Sequence, residues 1–193
     1  PLETPSGKLE IYSQTLADTF SAMGWNTVTP IPTYVKVING YEDASAPGAE
    51  YPLQVMNPHY LRRAHSVFDN IGWLREAWAN PVFISTIDAE TAGVVDGDTV
   101  LISSPYGQCV RNACVYAGLM PGVVALPHGA WVAVDEETGI DTAGADNYLT
   151  GPAPNGQGVS GYNSALCKIE KYTGEALAPD ADQPLRIVCK DGE

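Results

Sequence analysis

The chain has 193 residues, of which 45% are apolar, 19 are glycine and 15 are proline. This length is enough for one domain with a sizeable core, and the glycine and proline content indicates many turns rather than long helices. The formal net charge of −13 argues against nucleic acid or an anionic membrane surface as the partner. No segment is apolar over the roughly 20 residues that a membrane-spanning helix needs.

The first 50 residues are weakly patterned and are interrupted by prolines, such as Pro30 and Pro47. The pattern favours one short helix within residues 9–23, and we interpret the region as an arm rather than as part of a core. Because the chain begins at Pro1 and residues 2–8 resemble a linker, we expect it to be a piece of a longer protein.

After this arm, the sequence predicts six short strands separated by turns. They cover residues 51–56, 82–85, 99–103, 109–116, 123–127 and 164–171. One helix is predicted over residues 68–79, and a shorter one is capped by Ser85 and ends at Gly93. Because short strands expose their edges unless the sheet closes, we predict a mainly β fold, a closed barrel of about six strands with short peripheral helices.

Residues 57–76, NPHYLRRAHSVFDNIGWLRE, form the most informative segment of the chain. Histidine and arginine side chains follow a predicted strand there and precede a predicted helix. A polar cluster in such a turn is typical of a loop that binds an anionic or hydrogen-bonding ligand. We therefore predict a binding loop over residues 57–66 at one rim of the barrel. The alternative is a solvated loop in which Ser66 caps the helix.

Within this loop, the two adjacent arginines receive different predictions. Arg63 is expected to donate charge-assisted hydrogen bonds to a phosphate, which an otherwise acidic protein needs at its binding site. Arg62 is expected to point away, because two adjacent arginines rarely reach one ligand. His65 and Ser66 are neighbours with no orienting acid, so the segment does not indicate a hydrolase.

The cysteines and aspartates do not form the pattern of a metal site. The closest cysteine pair, Cys109 and Cys114, lies five positions apart on one predicted strand, so the two thiols should face opposite sides. We expect these two, with Cys167 and Cys189, to be reduced and structural. No loop of the EF-hand type frames the later aspartates, so we expect solvated carboxylates at Asp141, Asp146, Asp180 and Asp182.

Six pieces of the chain, in order, resemble one known family. They are residues 4–13, the pattern His59-x5-His65-Ser66 with Asp69-Asn70-x2-Trp73-Leu74-x-Glu76, residues 88–100, residues 121–125 with 129–131, Asn147-x-Leu149-Thr150, and residues 168–171. Together they are similar to the C-terminal domain of the dimethyl sulfoxide reductase family of molybdopterin oxidoreductases. The segment around Trp73 leans toward the catalytic subunit of the anaerobic dimethyl sulfoxide reductases. Ala165 departs from the family, where relatives often carry Asn, and His128 is unusual.

The resemblance implies a double-psi β-barrel that binds bis(molybdopterin guanine dinucleotide) with molybdenum. Residues 1–50 would be the lead-in arm, residues 51–175 the barrel domain and residues 176–193 a C-terminal tail. The implied cofactor-binding residues are Asn57, His59, Arg63, His65, Ser66, Asn70, His128, Gly129, Trp131, Asn147, Leu149, Thr150 and Asn163. No catalytic or metal-binding residue is implied, because the molybdenum ligand belongs to earlier parts of the family's chain.

The function implied by the resemblance is that of a cofactor-binding domain in a molybdenum oxidoreductase. The full enzyme would transfer an oxygen atom from an S-oxide or N-oxide, whereas the isolated piece would be inactive. Its partners would be the rest of the catalytic subunit, an iron–sulfur electron-transfer subunit and a membrane anchor subunit, on the extracytoplasmic side of a membrane. The alternative is a stand-alone β-barrel ligand-binding module without redox activity.

Overall fold

The computed structural model describes residues 1–25, 29–152, 161 and 164–183, which fall into two compact units. The first includes residues 1–36 and contains helix α1 (Gln14–Met23). The Ser13 side chain accepts the Leu16 N–H at its start, and the helix ends at Gly24 with φ 69°. The predicted helix within residues 9–23 is thus confirmed, while the division into arm, barrel and tail stays a prediction.

The second unit, which includes residues 37–152, is a closed barrel of six strands. The strands are β1 (Leu53–Met56), β2 (Val82–Ile84), β3 (Thr99–Ser103), β4 (Gln108–Val115), β5 (Val123–Ala125) and β6 (Ala165–Lys171). Around the barrel they follow the order β1-β5-β2-β4-β3-β6, with β6 pairing back onto β1. The pairs β1–β5 and β2–β4 are parallel, and the other four are antiparallel. The predicted mainly β, closed-barrel fold is confirmed.

Short helices surround the barrel, and their ends follow from local chemistry. They are α2 (Tyr41–Ala44), α3 (Gly72–Ala77), α4 (Thr86–Ala92) and the 3-10 turns Asp146–Leu149 and Asp180–Asp182. Helix α4 begins where Ser85 accepts the Asp88 N–H at 3.0 Å and ends at Gly93, as predicted. Helix α3 is shorter than predicted because Phe68 has φ 77°, which a helix cannot contain, and because Trp78 is extended.

The barrel interior is filled by aliphatic side chains. In β1 and β2 buried residues alternate with less buried ones, whereas β4 and β6 each bury three consecutive residues. The fully buried ones are Val82, Ile84, Val100, Ile102, Val124 and Leu126, and they pack with Cys109 and Cys167. In the part of the chain that the structure describes, no helix is long and apolar enough to cross a membrane.

The parallel pairing of β1 with β5 positions the predicted binding loop. Met56 is in register with Ala125, so both strands deliver the chain to the same end of the barrel. The Leu126 N–H donates to Met56 O at 2.8 Å, and the His128 N–H donates to Pro58 O at 3.3 Å. Residues 57–66 therefore lie at one rim of the barrel, as predicted, beside the loop that follows β5.

Candidate binding site

The chain contains three histidines, and all three meet at this rim. The ring centroid of His59 lies 4.5 Å from that of His128 and 5.5 Å from that of His65, in edge-on arrangements. The rings of His65 and His128 are stacked, with centroids 5.1 Å apart and planes 15° apart. The sequence predicted each histidine as a site residue, but not that the two loops would bring them into contact.

A cavity of about 250 Å³ opens beside these rings. It is lined by Asn57, His65, Ser66, His128, Gly129, Asp146 and Asn147. Six of these seven were predicted as site residues, and Asp146 was missed. A larger cavity of about 290 Å³ lies against β2 and β4 and contains none of the predicted residues, so the smaller one is the candidate site.

Gly129 allows the two loops to touch. Its φ is 91°, and a Cβ atom at this position would lie 1.9 Å from His65 O and 2.4 Å from His65 C. Only glycine accommodates both this backbone conformation and this close approach. The wall of the cavity therefore depends on the absence of a side chain at residue 129.

Asp146, which lines the cavity, connects the two loops through hydrogen bonds. One carboxylate oxygen accepts the Gly129 N–H at 3.0 Å, and the other accepts the Asn57 Nδ2–H at 3.1 Å. The residue is only 4% exposed, so these donors replace the water that a carboxylate normally binds. The oxygen atom of the Asn57 amide is buried and has no hydrogen-bond partner within residues 1–25, 29–152, 161 and 164–183.

The prediction of solvated aspartates is wrong for most of the set. Asp141 is fully buried, and one of its oxygens accepts the backbone N–H groups of Ala133 at 2.7 Å and Ala143 at 3.1 Å. It thereby holds the loop that leads to Asp146. The aspartates that are buried rather than solvated are Asp141, Asp146 and Asp180, whereas Asp182 is exposed, as predicted.

Arg63 is also placed differently from the prediction. Its Nε donates to His128 O at 3.1 Å, its Nη1 to Asp69 Oδ1 at 2.7 Å, and its Nη2 to Asn80 Oδ1 at 2.7 Å and Pro127 O at 3.1 Å. The guanidinium is buried and does not line the cavity. These contacts do not support a direct bond from Arg63 to a phosphate; they hold the His128 loop.

Arg62 lies in the same buried network rather than in a solvated loop. Its Nη2 donates to Asp69 Oδ1 at 3.0 Å and to Asp69 O at 2.8 Å, and its Nη1 pairs with Asp180. Burial lowers the pKa of Arg62, and the charges of Asp180 and Asp69 oppose that shift. One carboxylate, Asp69, thus serves both adjacent arginines and also accepts the Trp131 N–H at 3.0 Å.

Arg111 on β4 is a further residue that the sequence reasoning missed. It is 1% exposed and donates to the carbonyl oxygens of Gly144 at 2.8 Å, Pro81 at 3.0 Å and Pro127 at 3.0 Å. Burial lowers the pKa of Arg111 to about 10. An arginine inside a strand next to Val110 was the available signal, since an unpaired charge in an apolar strand is costly.

The remaining predicted residues lie around the cavity rather than in its wall. Trp131 donates its ring N–H to Ser66 O at 2.9 Å, and Thr150 donates its hydroxyl to Asn147 O at 3.0 Å. The Leu149 side chain is fully buried in the core, so the prediction that it contacts a ligand is wrong for the side chain. Asn70 is half-buried outside the cavity wall, and Asn163 lies outside the described residues.

The three described cysteines are free thiols. Cys109 is buried and Cys114 is partly exposed, consistent with the opposite faces that their spacing predicts. Burial raises the pKa of Cys109 to about 12 and raises that of Cys167 as well, so both thiols stay protonated. No His, Cys, Asp and Glu cluster suited to a metal ion occurs among the described residues, and Cys189 lies outside them.

Residues 53–165 match the family model described as "Molydopterin dinucleotide binding domain". The chain belongs to this family. It is 38% identical over 176 residues to dimethyl sulfoxide reductase DmsA of Escherichia coli (strain K12), covering 89% of this chain and 21% of that protein. It is 33% identical over 187 residues to the dimethyl sulfoxide/trimethylamine N-oxide reductase of Rhodobacter capsulatus, covering 92% of this chain and 22% of that protein. The chain thus spans about a fifth of the length of these relatives.

The fold is shared with a solved structure, acetylene hydratase from Pelobacter acetylenicus. The TM-score is 0.62 at 23% identity, over 88% of this chain and 24% of that one. Family membership confirms the predicted cofactor, a molybdenum-carrying bis(molybdopterin guanine dinucleotide). The cavity fits part of such a ligand, since a buried oxygen of Asn57 has no hydrogen-bond partner among the described residues.

Proposed function

We propose that this chain is one part of a longer molybdenum oxidoreductase and that it binds bis(molybdopterin guanine dinucleotide) at the rim cavity. The observation that carries the proposal is the meeting of residues 57–66 and 128–147 around one cavity, lined mostly by residues that the family resemblance selects. The names of the relatives support an S-oxide or N-oxide as substrate, with transfer of its oxygen atom.

The residues of this chain bind and orient the cofactor. When bound, the cofactor supplies the redox and oxygen-transfer chemistry at molybdenum. His65, Ser66, His128 and Asn147 present imidazole, hydroxyl and amide groups to it from the cavity wall. Asp69 acts indirectly, because it fixes Trp131 and both adjacent arginines and so holds the two loops at their observed separation.

Reduction of an S-oxide or N-oxide consumes electrons, so the enzyme needs an electron donor. We assign this role to an iron–sulfur subunit, held by a membrane anchor subunit on the extracytoplasmic side of a membrane. The remainder of the catalytic subunit is a further partner of this chain. Similarity to dimethyl sulfoxide reductases supports these assignments.

Activity assays on two forms of the protein test the proposal. The full-length enzyme should oxidise reduced viologen with dimethyl sulfoxide or trimethylamine N-oxide, whereas the isolated 193-residue chain should stay at background, because it holds only part of the cofactor's surroundings. Turnover by the isolated chain, or none by cofactor-loaded full-length enzyme with either substrate, would overturn it.

The alternative function, that of a stand-alone binding module, predicts a different size for the full-length protein that the gene encodes. That product would be ~700 residues or more for the enzyme and roughly the length of this chain for the module, by domain-size reasoning. The similarity to proteins of which this chain spans about a fifth favours the enzyme.

A further inference from the structure

We infer that the rim cavity takes the N–H donor edge of a 2-amino-4-oxopyrimidine ring, which guanine and pterin share, and that it does not take a phosphate. This inference rests on the proposed function and specifies which chemical part of the cofactor enters the cavity. It replaces the expectation that this loop grips phosphate, which depended on Arg63.

The charges around the cavity disfavour a phosphate. Of the described residues that line it, none is lysine or arginine, and Asp146 is the only carboxylate. No described residue forms an ion pair with Asp146. Burial lowers the pKa of Arg111, and the charge of Asp146 opposes that shift only in part. Arg63 and Arg111 are turned to the carbonyl oxygen of Pro127, behind the wall. A phosphate in the cavity would therefore face a buried carboxylate without an arginine between them.

The hydrogen bonds leave unused acceptors at the cavity. The Asn57 Nδ2–H donates to Asp146, which fixes the amide orientation and turns its oxygen away from the carboxylate. That oxygen is buried, and no group in the described part of the chain donates to it. Each oxygen of Asp146 accepts one hydrogen bond from a described residue and has capacity for another. The ligand that completes this set carries adjacent N–H donors.

A ring N–H next to an exocyclic amino group is such a donor pair. It pairs with a carboxylate through two parallel hydrogen bonds, in the way an arginine fork does. The edge of guanine and the edge of pterin both present this pair. A phosphate, which offers acceptors only at neutral pH, satisfies neither Asn57 nor Asp146.

The volume of the cavity fits one ring system better than a whole dinucleotide. Its volume of about 250 Å³ is below the roughly 300–1,000 Å³ of sites for drug-sized ligands, so a whole dinucleotide does not enter it. The rings of His65 and His128 are stacked on each other, and both residues line the cavity, so its wall contains aromatic surface against which a heterocycle can pack.

Reconstitution of full-length apoenzyme tests the inference. The probe is molybdopterin guanine dinucleotide, and the readout is bound pterin per polypeptide, which does not depend on activity. Asp146→Asn keeps the side-chain shape but turns an acceptor into a donor, so affinity should fall roughly tenfold or more. Asn57→Ala should weaken binding in the same direction. Asp182→Asn removes an exposed carboxylate as a matched control and should bind like wild type.

A second probe, molybdopterin without the nucleotide, separates the two sources of the ring. If pterin occupies the cavity, the Asp146→Asn defect persists with this probe; if guanine does, it disappears. Equal or tighter binding by Asp146→Asn with both probes, while wild type binds normally, would overturn the inference. If Asp146→Asn apoenzyme fails to fold by circular dichroism, unchanged binding by Asn57→Ala overturns it instead. Failure of wild type to bind either probe would overturn the proposed function itself.

Discussion

Asp69 fixes the conformation of residues 57–76, the segment of the sequence that is most informative about function. A single buried carboxylate pairs with Arg62 and Arg63 and accepts the N–H of Trp131. The two buried arginines therefore hold the loop from inside, and His65 and His128 line the cavity. Because buried ions must be paired, each member of this network depends on the others.

Arg63→Ala should destabilise the chain strongly. The change leaves Asp69 with one arginine and removes donors to Asn80 and His128, and breaking a buried pair costs about 3–5 kcal/mol. Urea unfolding of the 193-residue chain measures the change in free energy of unfolding. Arg62→Ala should have a similar effect, since Arg62 is equally buried.

Lys168→Ala is the matched control for this prediction. Its partner Glu170 lies 2.9 Å away in an ion pair on the surface, where removal costs about 0–1 kcal/mol. If Arg63→Ala unfolded at the same urea concentration as Lys168→Ala, the buried network would not contribute as described.

Several features of the site could be predicted from the sequence, and others could not. Asn57, His65 and His128 stand out because they follow predicted strands, whereas Asn147 was selected through the family resemblance. The burial of Asp141, Asp146 and Arg63 depends on backbone groups distant in sequence, such as the carbonyl of His128. Residue composition and spacing do not reveal those long-range contacts. The sequence therefore predicted that the aspartates would be solvated and that Arg63 would bind a ligand.

At the scale of elements, parallel pairing of β1 with β5 creates the site. It delivers two loops to one rim, where Gly129 packs against the backbone of His65. The strands were predicted within a residue or two, because alternation and turn residues are local signals. Their order around the barrel depends on long-range packing. No local pattern indicated the positive φ of Phe68, which shortens α3.

Gly129→Ala should push the two loops apart. A Cβ atom there meets His65 O at 1.9 Å, in addition to the cost of about 1–2 kcal/mol for a left-handed backbone with a side chain. Gly139→Ala is the matched control, because Gly139 has φ 72° but no atom within 4 Å of the added Cβ. Urea unfolding should show a clearly larger loss for Gly129→Ala. Equal losses would mean that close packing of the loops is not required.

At the scale of the whole molecule, an acidic chain forms a closed barrel with the candidate site at one rim. The chain covers about a fifth of relatives such as dimethyl sulfoxide reductase DmsA. Under the proposed function, the other surroundings of the cofactor belong to the rest of a longer polypeptide. The central claim is that the full protein holds molybdenum with molybdopterin guanine dinucleotide and that the rim cavity contributes to holding it.

Molybdenum and guanine nucleotide content of the purified full-length protein tests this claim most directly. Wild type should contain two guanine nucleotides for each molybdenum, as a bis(molybdopterin guanine dinucleotide) cofactor requires. A His65→Ala variant, which loses one cavity wall, should retain less of both. Wild-type protein without molybdenum and guanine nucleotide, or equal contents in both proteins, would contradict the account.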